Sequence, residues 1–433
     1  MKIYKFPRGG IVFEDSTVPP RDKSVIAFLP VLAVVPLIQH SGGKALPLVN
    51  VGDQVQEGML IARRQSPESA NIHAPIPGTV IQGVSWEAED GFSNEALVIR
   101  LGGAFEKLGK PRKEFHWEDL KPFALQQLLG EYGVVEMEPP GRPLADLLGP
   151  LYSRDSDEPA ALVVRCVFDD PWLAGDYALC RDRAKDIAEG ACIVCHSAQI
   201  NRLVFAVSHR EYDLGSRLLE EAGSFGIPGT LVAVSSRYPQ KNPRELQFAL
   251  REYEKKEGQT LGSLLILSPA TLAGAYDAIK LKKPVLERYI GVGGSAVKNP
   301  QVMRVRIGTR LKDLFAECGG FVDEPQRVIL GSPLSGRRIA SLDEPVVKTS
   351  FAAAALLEPQ TGGTVMRKCI ACGECRQVCP AALDPESLFK GIQQGRTSAA
   401  AECHGCGCCD LACPSRLPLS KVIQIGAIHG KTR

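Results

Sequence analysis

Two short stretches of this 433-residue chain concentrate soft, ionisable ligands: CIACGECRQVCP (Cys369 to Pro380) and CHGCGCCDLACP (Cys403 to Pro414). Each contains the spacing C-x2-C-x2-C-x3-C-P. Three cysteines two residues apart can wrap a loop round one iron–sulfur cubane, with Gly373 and Gly407 easing tight turns. The fourth, expected at the start of a helix, points the other way. Pro380 and Pro414 then end the turns and fix the exit of the chain. Zinc is the competing reading, but it would want two well-separated pairs per ion and would leave the third C-x2-C step and the C-x3-C-P unexplained.

The spacing is that of two-cluster ferredoxins, in which the fourth cysteine of each run ligates the other cluster. The expected sets are therefore crossed. Cys369, Cys372 and Cys375 with Cys413 would hold one [4Fe-4S] cluster, and Cys403, Cys406 and Cys409 with Cys379 the other. Cys408 is surplus. Two adjacent clusters form a wire that passes electrons and performs no bond chemistry, whereas a redox-inert staple would need only one metal site.

A second cysteine motif, CIVCH (Cys192, Cys195, His196), matches the signature of covalent c-type haem attachment. It falls at the end of a helical segment, 182–194, where ordinary core thiols are the simpler expectation. Cys166, Cys180 and Cys318 lie in apolar or helical contexts and are read as packing.

The rest of the chain must position these groups. Its length suggests about three domains at roughly 150 residues each. A net charge of +2 gives no argument for nucleic acid or an anionic membrane surface. Nine of the fourteen cysteines fall between Cys369 and Cys413, which reads as metal ligation in a reducing compartment. The N-terminus lacks a basic stretch leading into an apolar run and is a poor signal peptide. VIAFLPVLAVVPLI (Val25 to Ile38) is short and holds two prolines, so buried strands are expected there in place of a membrane helix, which needs about 20 residues.

From Val31 to Leu101, short β-branched runs punctuated by glycine and proline include VNVGDQVQEGMLIA and HAPIPGTVIQGV. They resemble the barrel-sandwich fold of lipoyl and biotinyl domains. The turn that carries the swinging-arm lysine in those carriers reads RRQSPESAN (Arg63 to Asn71) here, without lysine, which disfavours a covalent carrier. His73 opens the next strand and is expected to pack or cap.

Between about Pro111 and Pro284, strands alternate with helices and predict an α/β layer with a largely parallel sheet. No glycine-rich phosphate loop follows any strand. The stretch GVVEMEPPGRPLADLLGP (Gly133 to Pro150) carries acids and four prolines, and VGGSAV (Val292 to Val297) reads as a turn. From about Pro284 to Val347, a hairpin, a short helix and a further strand fit a small β-grasp domain. Residues 351–364 then lead into the cysteines. The expected architecture is multidomain α/β and β: a barrel-sandwich hybrid (1–108), a Rossmann-like α/β domain (109–283), a β-grasp domain (284–350) and a C-terminal dicluster ferredoxin-like helical domain (351–433).

This order of parts resembles the RnfC family, the C subunits of Rnf-type electron-transport complexes, across essentially the full chain. PRGGI (Pro7 to Ile11), VVPLIQHSGG, VNVGDQVQEG, HAPIPGTV, SRYPQKNPRELQFAL, KPVLERYIGVGGSAVKNP, RIGTRLKDLFAECGGF and both cysteine runs carry the likeness. The resemblance implies a peripheral subunit on the cytoplasmic face of the membrane, without a transmembrane helix. It would pass electrons between NADH or ferredoxin and integral membrane partners, coupled to ion transport. It also implies an α/β domain related to the NADH- and FMN-binding subunit of respiratory complex I, followed by an SLBB-like β-grasp domain.

One departure is local. Family members carry a GxGGAGFPT-type loop and an NGAECEP stretch that help hold flavin and nicotinamide, where this chain has GVVEMEPPGRPLADLLGP and VVRCVFDDPWLAGDY (Val163 to Tyr177). No FMN or NADH residue carries over, so the expectation is a weakened or absent nucleotide site, with ferredoxin, flavodoxin or a sister subunit as electron donor. A soluble reductase of the cobalamin-reductase type, an iron–sulfur flavoprotein, is the alternative. A binding module merely stapled by its clusters is a third class.

Overall fold

The computed structural model describes residues 1–87, 93–103, 105, 115–152, 159–357, 366–396 and 400–431. The expected boundary at 108/109 lies outside them.

The barrel-sandwich comprises two small antiparallel sheets. One runs in the order Leu32–Pro36, Ser93–Leu101, Gly78–Glu87, Gln54–Val55, and the other in the order Leu46–Pro47, Leu60–Arg63, Ile72–His73. Alternating side chains such as Ala33, Val35, Ile61, Ile72, Val80 and Ile99 fill the space between them. The lipoyl-like turn is not a free tip. Ser69, Ala70 and Asn71 are buried, Asn71 Nδ2 donates to Glu131 O at 3.0 Å, and the buried Lys348 donates to Asn71 O at 2.9 Å and Gly133 O at 2.7 Å. The turn is a joint between units, which accounts for the missing lysine. His73 is buried beside it, and burial, with the Lys348 charge adding, pushes its imidazole down to about 3.

The α/β unit has a four-stranded, wholly parallel sheet in the order Gly229–Val234, Leu203–Ser208, Ala160–Cys166, Ser263–Leu267. The first three strands in sequence step one way and the fourth lands on the other side of the first. The order in which strands are added therefore reverses between Ala160–Cys166 and Ser263–Leu267. Helices Ala184–Ser197 and Pro269–Lys280 cover one face, and Pro243–Glu257 covers the other.

The third sheet is mixed and six-stranded, ordered Ser24–Ile26, Gln301–Arg306, Glu287–Gly293, Ala352–Leu356, Arg327–Leu330, Arg337–Arg338. Two expectations change here. FAAAALLEPQTGGT was read as a lead into the cysteines, yet Ala352–Leu356 is a buried strand paired on both sides. Small side chains suit a position enclosed on both faces, and burial outweighs alanine's helix preference. Its last residues, 358–364, lie outside the described residues. The 25–38 run splits between two sheets and is only partly buried: Ile26, Phe28 and Val31 are exposed.

The N-terminal 23 residues form a strap across the other units. Tyr4 N donates to Ala233 O at 3.0 Å, Gly10 N to Val378 O at 2.8 Å, and Thr17 O accepts from Gly294 N at 2.9 Å. The cysteine segment folds on short helices, Glu374–Gln377, Pro385–Gln393, Cys408–Ala412 and Leu419–Lys431, around Leu417, Leu419 and Ile423.

Candidate electron-transfer site and the α/β crevice

In each cysteine run a glycine in the left-handed region, Gly373 at φ +80° or Gly407 at φ +78°, precedes a helix of one turn. The third cysteine, Cys375 or Cys409, sits inside that turn, and the fourth, Cys379 or Cys413, follows its end. This corrects the expectation that the fourth cysteine begins a helix. Pro380 and Pro414 disfavour helix in the residue before them, so the turn must close there.

Cys379 crosses over to the second run. It lines one small depression with Cys403, Cys406 and Cys409, the four residues expected to share a cluster, and with Cys408. Burial pushes the Cys379, Cys403 and Cys409 thiols up, and Cys406 acts electrostatically on all three. Cys406 goes the other way, because a hydrogen bond from the Cys408 thiol stabilises its thiolate; Cys408 is correspondingly held protonated. Cys408 is a buried neighbour at this depression, a placement that spacing alone did not suggest.

Four soft donors around one depression suit an iron–sulfur cluster. So does the Leu383 N–H aimed at Cys379 Sγ (3.3 Å), since amide donors stabilise thiolate charge. Among the described residues no three His, Cys, Asp or Glu side chains are already drawn into metal-coordinating range.

The body of the protein encloses this inner run. Tyr238 Oη donates to Cys406 O at 2.7 Å, His404 Nε2 lies 3.1 Å from the buried Glu245, and Asn242 Nδ2 lies 3.2 Å from His404 Nδ1. A Cβ on Gly9 would stand 2.6 Å from the Cys379 carbonyl group, and one on Gly407 2.7 Å from Leu334 O. The α/β unit and the mixed sheet meet this run, and the strap meets Cys379 beside it. PRGGI and SRYPQKNPREL contained the signal, but nothing in their residue types announced which partner they touch.

The outer run is different. Met366 to Cys372 is exposed throughout, Cys369 and Cys372 included. Cys375 is buried, and Cys413 packs partly buried against the same apolar cluster. The loop is tied near Cys413 by Arg367 N to Ser415 O (3.0 Å) and Ser415 Oγ to Lys368 O (2.9 Å). Ala371 N lies 3.4 Å from Cys369 Sγ.

Elsewhere, Cys192 and Cys195 are fully buried in the α/β core, where burial pushes both thiols up. His196 is engaged with Leu120 O at 2.9 Å and stacks edge-on with Trp117. A haem edge has no access there. Cys166, Cys180 and Cys318 are buried too.

At the carboxyl ends of the parallel strands, where such sheets receive nucleotides, lies a cluster of buried charge. Glu138 pairs with both Arg165 and Lys241 (2.7 Å to Lys241). Glu136 lies 3.5 Å from Arg165 and accepts from Ser268 N (3.2 Å) and Thr271 Oγ1 (3.0 Å). Asp169 Oδ2 accepts from Lys241 N at 3.0 Å. Burial pushes Glu136 up against the pull of Arg165, Ser268 and Thr271. Both glutamates come from the Gly133–Pro150 stretch. Three carboxylates in this space do not fit a flavin or nicotinamide phosphate.

Comparison with known proteins gives a consistent picture. The family described as RnfC Barrel sandwich hybrid domain matches residues 5–103, strap included, and the SLBB domain matches residues 289–340. The chain is 30% identical over 378 residues to the C subunit of the ion-translocating oxidoreductase complex of Rhodobacter capsulatus, covering 86% of this chain and 72% of that one. It is 28% identical to the C subunit of the proton-translocating ferredoxin:NAD(+) oxidoreductase complex of Clostridium ljungdahlii (88% and 83% covered), and 24% to its Na(+)-translocating counterpart from Acetobacterium woodii (84% and 82% covered). The fold is similar to a chain of an NAD+-reducing [NiFe]-hydrogenase, with TM-score 0.52, 12% identity, and 75% of this chain and 64% of that one covered.

Proposed function

This chain belongs to the RnfC family, the C subunits of ion-translocating oxidoreductase complexes, and we propose that it is the electron-transfer subunit of a membrane-bound Rnf-type complex. Two [4Fe-4S] clusters relay electrons between a cytoplasmic donor and integral membrane subunits, coupled to ion transport. Cys403, Cys406, Cys409 and Cys379 hold the inner cluster, and Cys369, Cys372, Cys375 and Cys413 the outer one. When bound, such clusters supply one-electron storage. The chain's own residues hold them, exclude water from the inner one and expose the outer one to a partner.

The observation that carries this reading is the meeting of Cys379 with Cys403, Cys406 and Cys409 at one depression, the crossed pattern of a two-cluster wire. Among the described residues no helix is long and apolar enough to cross a membrane, and the proposal places the chain as a peripheral subunit on the cytoplasmic face. The division into barrel-sandwich, α/β, SLBB-like β-grasp and dicluster units serves this wire by holding its inner end rigidly. Relatives are named as complex subunits that use ferredoxin and NAD(+), which favours this reading over a soluble cobalamin-type reductase.

Anaerobic purification with iron and sulfide analysis, then electron paramagnetic resonance of the dithionite-reduced protein, tests the reading. Two interacting [4Fe-4S] signals are expected; a zinc-loaded, spectroscopically silent protein would sink it.

A further inference from the structure

The α/β crevice has the sheet topology of a nucleotide site, yet the point where its strand order reverses is filled by the chain's own side chains. Its strand order reverses between Ala160–Cys166 and Ser263–Leu267, the position at which parallel α/β sheets bind ligands outside the strand carboxyl ends. The fourth strand runs into a 12-residue helix, Pro269–Lys280, capped by Ser268. Such a helix start offers backbone N–H groups and a partial positive charge, which commonly receive a phosphate.

Here those donors are taken from within. Glu136 lies at the helix start, accepting from Ser268 N and from Thr271 Oγ1. Thr271 Oγ1 also receives Met137 N at 2.8 Å, so the 135–137 backbone is sewn to the helix start. One residue further on, Glu138 neutralises both cations of the crevice, Arg165 on the first strand and Lys241 after the third. All four side chains are at most 15% exposed.

We infer that Glu136 and Glu138 are built-in occupants of the phosphate-binding crevice: the chain closes its own nucleotide site with two carboxyl side chains from the 133–143 loop. The α/β unit consequently acts as a rigid mount for the inner cysteine run, through Tyr238 and Glu245, and takes up neither FMN nor NADH. This bears on where electrons enter the proposed relay. It does not depend on the clusters, since the contacts are complete without them.

The test uses the full-length protein, purified anaerobically, with thermal unfolding followed in the presence of inorganic pyrophosphate, FMN or NADH as separate probes. For wild type, no flavin is extracted and none of the three probes raises Tm. Glu138→Ala removes the carboxylate that pairs with both Arg165 and Lys241, leaving Arg165 only the more distant Glu136 at 3.5 Å, and should lower Tm by about 6–12 °C, with pyrophosphate now restoring part of the loss. Should that variant fail to fold, Glu138→Gln, which keeps the shape and removes the charge, should show a smaller loss and the same pyrophosphate response. Flavin at one per chain in wild type, a Tm rise with FMN or NADH, or variants that fold with no change in Tm and no pyrophosphate response would overturn the inference. Absent iron with an unchanged pyrophosphate result would instead refute the relay and leave the closed crevice standing.

Discussion

The two cysteine runs share one spacing and have opposite surroundings. The inner run is held by the loop after the third parallel strand at Tyr238, the Pro243–Glu257 helix at Glu245 and the mixed sheet at Leu334, and the N-terminal strap at Gly9 and Gly10 holds Cys379 and Val378 beside it. The outer run shows its first two thiols to solvent, and its Cys375 packs in a small apolar cluster that it shares with Cys409 and Cys403 of the inner run. Identical local geometry can therefore serve two ends of a wire. In the proposed relay, burial shields the inner end from water, while exposure lets the outer end come within reach of a second protein.

The largest expected effect comes from removing ligands at either end. Cys406→Ser should remove the inner cluster, about half of the bound iron, and lower the thermal stability of the whole body because its enclosing contacts lose their anchor. Cys372→Ser should remove a similar amount of iron with little change in body unfolding. The crossed sets are read in the same spectra: Cys413→Ser should silence the outer signal and Cys379→Ser the inner one, and the reverse would refute the assignment.

Removing metal without mutation separates the two ends by their exposure alone. Under a chelator with a mild oxidant, iron from the exposed set should leave first, visible as loss of one paramagnetic signal and of the spin coupling between the two. Simultaneous loss would mean that the inner run is no better protected than the outer.

Much of this site was legible from spacing. Thiolate ligation demands close, regular cysteines, and the two-cluster ferredoxin spacing already singled out Cys379 as the residue that meets Cys403, Cys406 and Cys409. The parallel sheet was legible too, because strands enclosed on both faces read as continuous apolar runs such as AALVVRC. What the residues hid was long-range. Glu136 and Glu138 meet Arg165 and Lys241 across separations of up to about a hundred residues, and no local pattern states that pairing. Ala352–Leu356 hid for a different reason: alanine has little strand character of its own, and only its place between Glu287–Gly293 and Arg327–Leu330 makes it a strand.

Gly9→Ala should have the next largest effect, confined to the inner end. The new methyl group would lie 2.6 Å from the Cys379 carbonyl carbon and oxygen, at a φ of +68° that side chains avoid. Either strain alone costs about 1–3 kcal/mol. Neither can be relieved by a rotamer change, because the clash is with backbone. The inner signal should broaden or lose intensity while the outer one is unchanged; equal damage to both would show that the strap supports the tail generally.

The smallest change is Tyr238→Phe, which deletes only the hydroxyl that donates to Cys406 O at 2.7 Å. The tyrosine is almost fully buried, and burial with nearby Asp170 pushes its phenol up, so it remains a donor across the whole working pH range. Without it a shielded carbonyl beside a cluster ligand loses its partner, costing about 1–2 kcal/mol. The peptide dipole next to Cys406 also becomes free to reorient. A hydrogen-bond donor withdrawn from the neighbourhood of a ligand thiolate leaves negative charge less well stabilised, so the reduced inner cluster is disfavoured and its potential should fall. Outer ligands lie beyond this contact, and a redox titration monitored at both signals should move the inner midpoint alone. If both midpoints move together, the two ends are electrostatically one centre, and the contrast in their surroundings governs stability without governing electron flow.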